Sequence, residues 1–145
     1  MSEDEARQVI RGGNHTIEVR DDHVHAWVYK REDVSLEEGA RFALDMADSM
    51  SRLVELPIEE ARYAIVDLSA APSISGPITR AAMGRLIAKW EEARRPIVIV
   101  VGTEPIKDVQ YHGIVLKHAP EYGRVTATVE EAIELAHSLV ESDTS

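Results

Sequence analysis

The chain has 145 residues, 44% hydrophobic and 29% charged, a balance that suits one globular domain able to bury its own core. It has no cysteine, which excludes disulfides, thiolate catalysis and cysteine-ligated metals and fits a reducing cytoplasm. The 26 acidic residues against 16 Lys and Arg leave a net charge of -10, which disfavours non-specific binding to nucleic acid or an anionic membrane.

Met1 to Gly13 is charged at Glu3, Asp4 and Glu5 and breaks at Gly12-Gly13. It reads as a flexible leader over residues 1–14, without the apolar core of a signal peptide. Thr16 to Arg20 and Val24 to Tyr29 alternate polar and apolar residues in the strand manner, and the Asp21-Asp22 turn between them predicts an antiparallel hairpin. A two-residue turn sets Glu18 opposite His25 and Arg20 opposite His23.

Ser35 with Glu38 three residues on is a capping-box pattern opening a helix. Ala40, Ala43, Leu44, Ala47, Met50, Ser51 and Val54 form its expected apolar stripe, and Pro57 ends it. Tyr63 to Leu68 is an apolar run that breaks into a small-residue turn before Pro77, and Ile97 to Val101 repeats the plan with Gly102 and Pro105. Each reads as buried strand, loop and proline-started helix. The first helix runs from Pro77 to about Arg95, with Ile78, Ala81, Ala82, Leu86, Ile87 and Trp90 on its apolar face. The second runs from Pro105 to His118 and contains Gly113. Arg124 to Thr126 makes a short strand. Thr128 and Glu131 form a second capping box, opening a helix that buries Ala132, Ile133, Leu135, Ala136 and Leu139. Residues 141–145 read as a polar tail, leaving 15–140 as the domain. The order predicts a mixed, mostly parallel α/β sheet of about five strands: an antiparallel hairpin and helix, then three strand–helix repeats. No apolar run approaches the ~20 residues needed to span a membrane.

Three segments resemble the STAS domain family, the bacterial anti-sigma-factor antagonists with their SpoIIAA-like and Sec14-like relatives. Ala64-Ile65-Val66-Asp67-Leu68-Ser69 is similar to the family's central strand, which commonly ends in Asp-Leu-Ser. Ser73-Ile74-Ser75-Gly76 stands in the place of its Asp-Ser-Ser-Gly turn. Gly123-Arg124-Val125 with Thr128-Val129-Glu130-Glu131-Ala132-Ile133 is similar to its last strand and acidic-capped terminal helix. The likeness covers about His15 to Val140. In phosphorylated members the acceptor Ser or Thr follows the Asp and precedes the Gly by two residues. Here Ile74 holds that position, Ser73 replaces the Asp, and the loop is about two residues shorter, so the acceptor loop is degenerate. The resemblance implies a cytoplasmic bacterial regulatory domain that works by protein–protein contact, with an anti-sigma factor or kinase-like protein as partner.

The loop from Ser69 to Gly76 is the first candidate site. Proline at the start of the next helix leaves backbone N–H groups free there, where the helix dipole favours an anion. Ser73 and Ser75 are candidates to cap that helix or to accept a phosphoryl group, and Arg80 to pair with it. The plain reading is a capped loop. Asp67 ends its strand as a lone acid, better suited to holding the loop by hydrogen bonds than to binding a metal. With Thr103 on the neighbouring loop, these residues form the expected recognition rim. His23, His25, Trp27 and Tyr29 share one face of the hairpin and suggest a homodimer or partner surface. Two imidazoles at i and i+2 are also a partial zinc or nickel set, with Glu18 or His15 as the nearest third ligand. No cofactor or metal is expected. His112, His118 and His137 are scattered on helices, and none of the familiar nucleophile, zinc-protease or nucleotide motifs is present. The leading expectation is therefore a non-catalytic interaction domain. The alternatives are a module binding a small anion or lipid-like ligand, and an enzyme using Asp67 and a nearby histidine.

Overall fold

The computed structural model describes residues 6–72 and 76–144, with side chains to residue 142. The strands are β1 (Gln8–Arg11), β2 (His15–Val19), β3 (His23–Val28), β4 (Tyr63–Asp67), β5 (Ile97–Val100) and β6 (Gly123–Thr126). The helices are α1 (Leu36–Leu53), α2 (Pro77–Glu92), α3 (Pro105–His118) and α4 (Val129–Thr144). All six strands form one sheet in sequential order, antiparallel through β1, β2 and β3 and parallel from β3 to β6.

This order explains the layers. Successive right-handed crossovers stepping in one direction place their helices on the same face. Accordingly α1 packs on α2 and α2 on α3, over a core that includes Ile17, Val24, Ala64, Val66, Met83, Leu86, Ile99 and Trp90. The Trp90 indole donates to the Met50 carbonyl at 3.2 Å, which ties α2 to α1. On the other face α4 packs against β4, β5 and β6 over Tyr63, Ile65, Val98, Val100, Ala132 and Ala136. Alternate residues of β4 and β5 thus enter separate cores, which is why both strands read as unbroken apolar runs. No helix among the described residues is long and apolar enough to cross a membrane.

The hairpin register is as expected: Glu18 lies opposite His25, and the Arg20 amide donates to the His23 carbonyl at 2.8 Å. Both capping patterns form, with the Glu38 amide donating to Ser35 Oγ at 3.1 Å and the Glu131 amide to Thr128 Oγ1 at 3.2 Å.

Four expectations need correction. Part of the presumed leader is β1, paired with β2 so that Val9 faces Glu18 and Ile10 faces Ile17. Its four residues are too few to show alternation, and the Gly12-Gly13 break is the turn into β2. A side chain at Gly13 would have to displace the Phe42 ring, because a Cβ there would lie 2.2 Å from it. Residues 141–144 of the presumed tail belong to α4, and Ser145 lies outside the described residues. In α1 the buried positions are Met46, Ala47, Met50 and Leu53, while Leu44 is 39% exposed because the core-facing stripe is rotated from the expected one. In α2, Ile78 and Ala81 lie on the solvent side, and Met83 and Gly84 join the core instead.

Candidate functional site

β4 and β5 are parallel, with Asp67 beside Val100, so the loops that follow them emerge side by side. Asp67 Oδ1 accepts from the Ser69 amide at 3.0 Å and the Ser69 hydroxyl at 2.6 Å, an Asx turn that bends the chain as it leaves the sheet. Gly102, at φ 71°, turns the neighbouring loop back, and a Cβ built on it would lie 3.4 Å from Ser69 Cβ. Asp67, Ser69 and the turn leading to Thr103 are therefore brought together on one rim, with Thr103 exposed.

Lys107 locks that rim. Only 1% exposed, its ammonium donates to the carbonyls of Leu68 at 2.7 Å and Ala71 at 2.9 Å, with Ser69 O at 3.4 Å and Glu104 Oε1 at 3.4 Å. A buried ammonium is tolerable only with such partners. Here they fasten the β4–α2 loop to the first turn of α3. The sequence reading missed this residue. The available signal was spacing: Lys107, Tyr111 and Val115 form the buried i, i+4, i+8 stripe of α3, an arrangement that draws a lysine inward.

Gly76 is the N-cap of α2, without a side-chain cap, and Arg80 is exposed one turn on. Ser73 and Ser75 lie outside the described residues. Large apolar side chains stand exposed on α2 and α3 among charged ones such as Arg80, Arg85 and Lys117. Ile78 is 54% exposed, Ile106 60%, Val109 72% and Leu116 75%.

The second predicted group is an aromatic row on the face of the sheet shared with α4. The His23 ring stacks on Tyr63 at 4.7 Å between centroids, and His25 stacks on Trp27 at 4.0 Å. Tyr63 Oη and His137 Nε2 are 3.1 Å apart, and the Arg20 guanidinium lies 5.4 Å from the Trp27 ring centre. His25 is buried by its own neighbours, so this residue offers a partner no surface, contrary to the expected docking role. Its imidazole is pushed down to about 4, chiefly by burial and then by Arg20 and His23, with Asp67 opposing. Neither of its ring nitrogens has a hydrogen-bond partner among the described residues. Burial, then Asp22, pushes the Tyr63 phenol up. Tyr29 follows the end of β3 and is 43% exposed.

The partial metal set does not close. His15 lies on the opposite face of the sheet from His23 and His25, next to Ile17 and Val19 in the buried alternation, and its ring is 3.1 Å from Asn14 Oδ1. Among the described residues no three acidic or imidazole groups are placed to share an ion. A cleft of about 460 Å³ opens where β3 and β4 begin, at the end away from the rim. Asp21, Asp22, Glu59 and Glu141 line it against Arg62, so its lining does not suit an anion.

No protein-family model and no curated protein matches the chain. Among solved structures it is similar to the NMR structure of the protein TM1081, with a TM-score of 0.54 and 11% sequence identity, over 94% of this chain and 98% of that chain. At that identity the likeness establishes the mixed α/β fold.

Chemically, the described part of the rim offers polar groups that are already engaged within the chain. Asp67 is engaged by Ser69, and the Lys107 amine is enclosed by carbonyl oxygens.

Proposed function

We propose that this chain is a non-catalytic STAS-like interaction domain that docks on a protein partner through the β4–α2 and β5–α3 rim and the exposed start of α3. One observation carries the reading. Ile106 and Val109 stand 60% and 72% exposed on the helix whose first turn Lys107 fastens to the adjoining loop. Burying such a side chain is worth about 1.5–3 kcal/mol, and exposed apolar groups close together on one surface are what a protein interface recruits.

The resemblance to STAS domains gives the proposal its setting, a bacterial regulatory pathway in which the partner is an anti-sigma factor or kinase-like protein. A phosphoacceptor is not required: the contact is made by shape and apolar burial.

The test is affinity capture from the source cells with the wild-type chain and with the double variant Ile106→Glu/Val109→Glu. Loss of a stoichiometric partner in the variant, with its melting temperature unchanged, supports the reading. Equal recovery by both proteins refutes this surface. A thermal shift with small anions or lipids, with no captured partner, favours the ligand-binding alternative.

A further inference from the structure

The charge of this molecule is unevenly distributed. Residues 77–118, which contain α2, β5 and α3, hold seven Lys and Arg against four Asp and Glu, a net +3, while the rest of the chain carries -13. Within that segment α2 and α3 pack side by side and leave a cleft of about 390 Å³ between them. Arg80, Lys117 and His118 line it, Ala81 and Gly113 keep it open, and none of the described residues lining it is acidic. Gly84 allows the close approach of the two helices, since a Cβ there would lie 2.7 Å from His118 Nε2.

An apolar stripe runs beside this cleft. Ile106, Val109, Gly113 and Leu116 follow one another at spacings of three, four and three residues, so they share one side of α3. The stripe extends over about 15 Å, the rise of ten helical residues. Its three large members are all more than half exposed.

Taking the docking reading above as its basis, we propose that the groove between α2 and α3 binds an acidic amphipathic helix of the partner protein. The partner's apolar residues at i, i+3 or i+4, and i+7 would cover the stripe of α3. Its flanking carboxylates would meet Arg80 and Lys117. Charge decides among occupants. A nucleic acid or an anionic bilayer is a large charged surface that would also face the -13 carried by the rest of the molecule, whereas one helix engages only the basic groove. A basic or neutral helix would leave Arg80 and Lys117 uncompensated at the contact.

Photo-cross-linking tests this. p-Benzoylphenylalanine is placed at Leu116 on the stripe beside the groove, or at Thr103 on the rim, in the full chain. Each protein is irradiated in extract of the source cells, and the adducts are sequenced by mass spectrometry. The expected result is a Leu116 adduct to an acidic amphipathic segment. A synthetic peptide of that segment should bind the wild-type chain more weakly as salt is raised, and at least tenfold more weakly to Arg80→Glu/Lys117→Glu, whose fold is checked by circular dichroism. An adduct at Leu116 to lipid, nucleic acid, a second copy of this chain or a basic or neutral segment overturns the proposal, as does the absence of any adduct there. A protein adduct at Thr103 without one at Leu116 leaves the rim reading standing and removes the groove; no protein adduct at either position removes both.

Discussion

The ammonium of Lys107 lies 2.7 Å from the carbonyl oxygen of Leu68, thirty-nine residues earlier in the chain. One side chain thus joins the start of the loop after β4 to the helix after β5. Replacing Lys107 by Met keeps much of the stem but removes every donor to the Leu68 and Ala71 carbonyls. The expected cost is about 2–4 kcal/mol, read as a lower midpoint in urea denaturation. Glu104→Gln should cost less than about 1 kcal/mol, because Glu104 is partly exposed and the carbonyls still hold the ammonium. An unchanged midpoint for Lys107→Met would show that the clasp contributes nothing.

Gly102→Ala separates backbone strain from crowding. The new Cβ meets Ser69 Cβ at 3.4 Å, within ordinary contact, but φ of 71° is left-handed. The substitution should cost about 1–2 kcal/mol from backbone conformation alone. Gly102→Asn should cost less, since Asn tolerates that region. Equal melting temperatures for the two variants would contradict this.

His25 makes stability depend on pH. Its imidazole has a pKa of about 4 in the folded chain, below the ordinary 6.5 it regains on unfolding. Between those values the unfolded chain binds more protons, so stability falls as pH drops from about 6.5 toward 4, by roughly 2–4 kcal/mol in all. His15, also lowered by burial, acts in the same direction. His25→Phe keeps the stack on Trp27 and removes two unpartnered ring nitrogens. It should raise stability at pH 7 by about 1–2 kcal/mol and flatten the slope between pH 6.5 and 4. Urea melts at pH 7 and pH 5 check both effects; an undiminished slope in the variant would exclude His25 as the source.

Charge on the α3 stripe should be almost free for the fold. Leu116→Glu and Val109→Glu alter side chains that are 75% and 72% exposed, so each should change unfolding free energy by less than about 0.5 kcal/mol. A large loss of stability would mean that these side chains serve the fold.

Much of the architecture was legible because it is written in short-range patterns. The two-residue Asp21-Asp22 turn set the hairpin register that places Glu18 opposite His25. The repeated run, turn and proline announced β4–α2 and β5–α3, and parallel pairing then put Ser69 and Gly102 on one rim. Asp67 proved to hold its own loop, as its isolation suggested. Other features carried no local mark. β1 is four residues long and has meaning only beside β2. The outward turn of Ile78 and Leu44 depends on which side of each helix meets the sheet, a choice that a broad apolar stripe leaves open.

The sequence by itself determined the element order from β2 onward, the hairpin register and the parallel run of β4 and β5, because periodicity, caps and turn chemistry act over a few residues. Only the tertiary structure decided that Lys107 is buried, that His25 is hidden and that the basic cleft lies beside an exposed apolar stripe. Those outcomes depend on contacts between residues far apart in the chain, where burial and charge are set by neighbours that packing alone supplies.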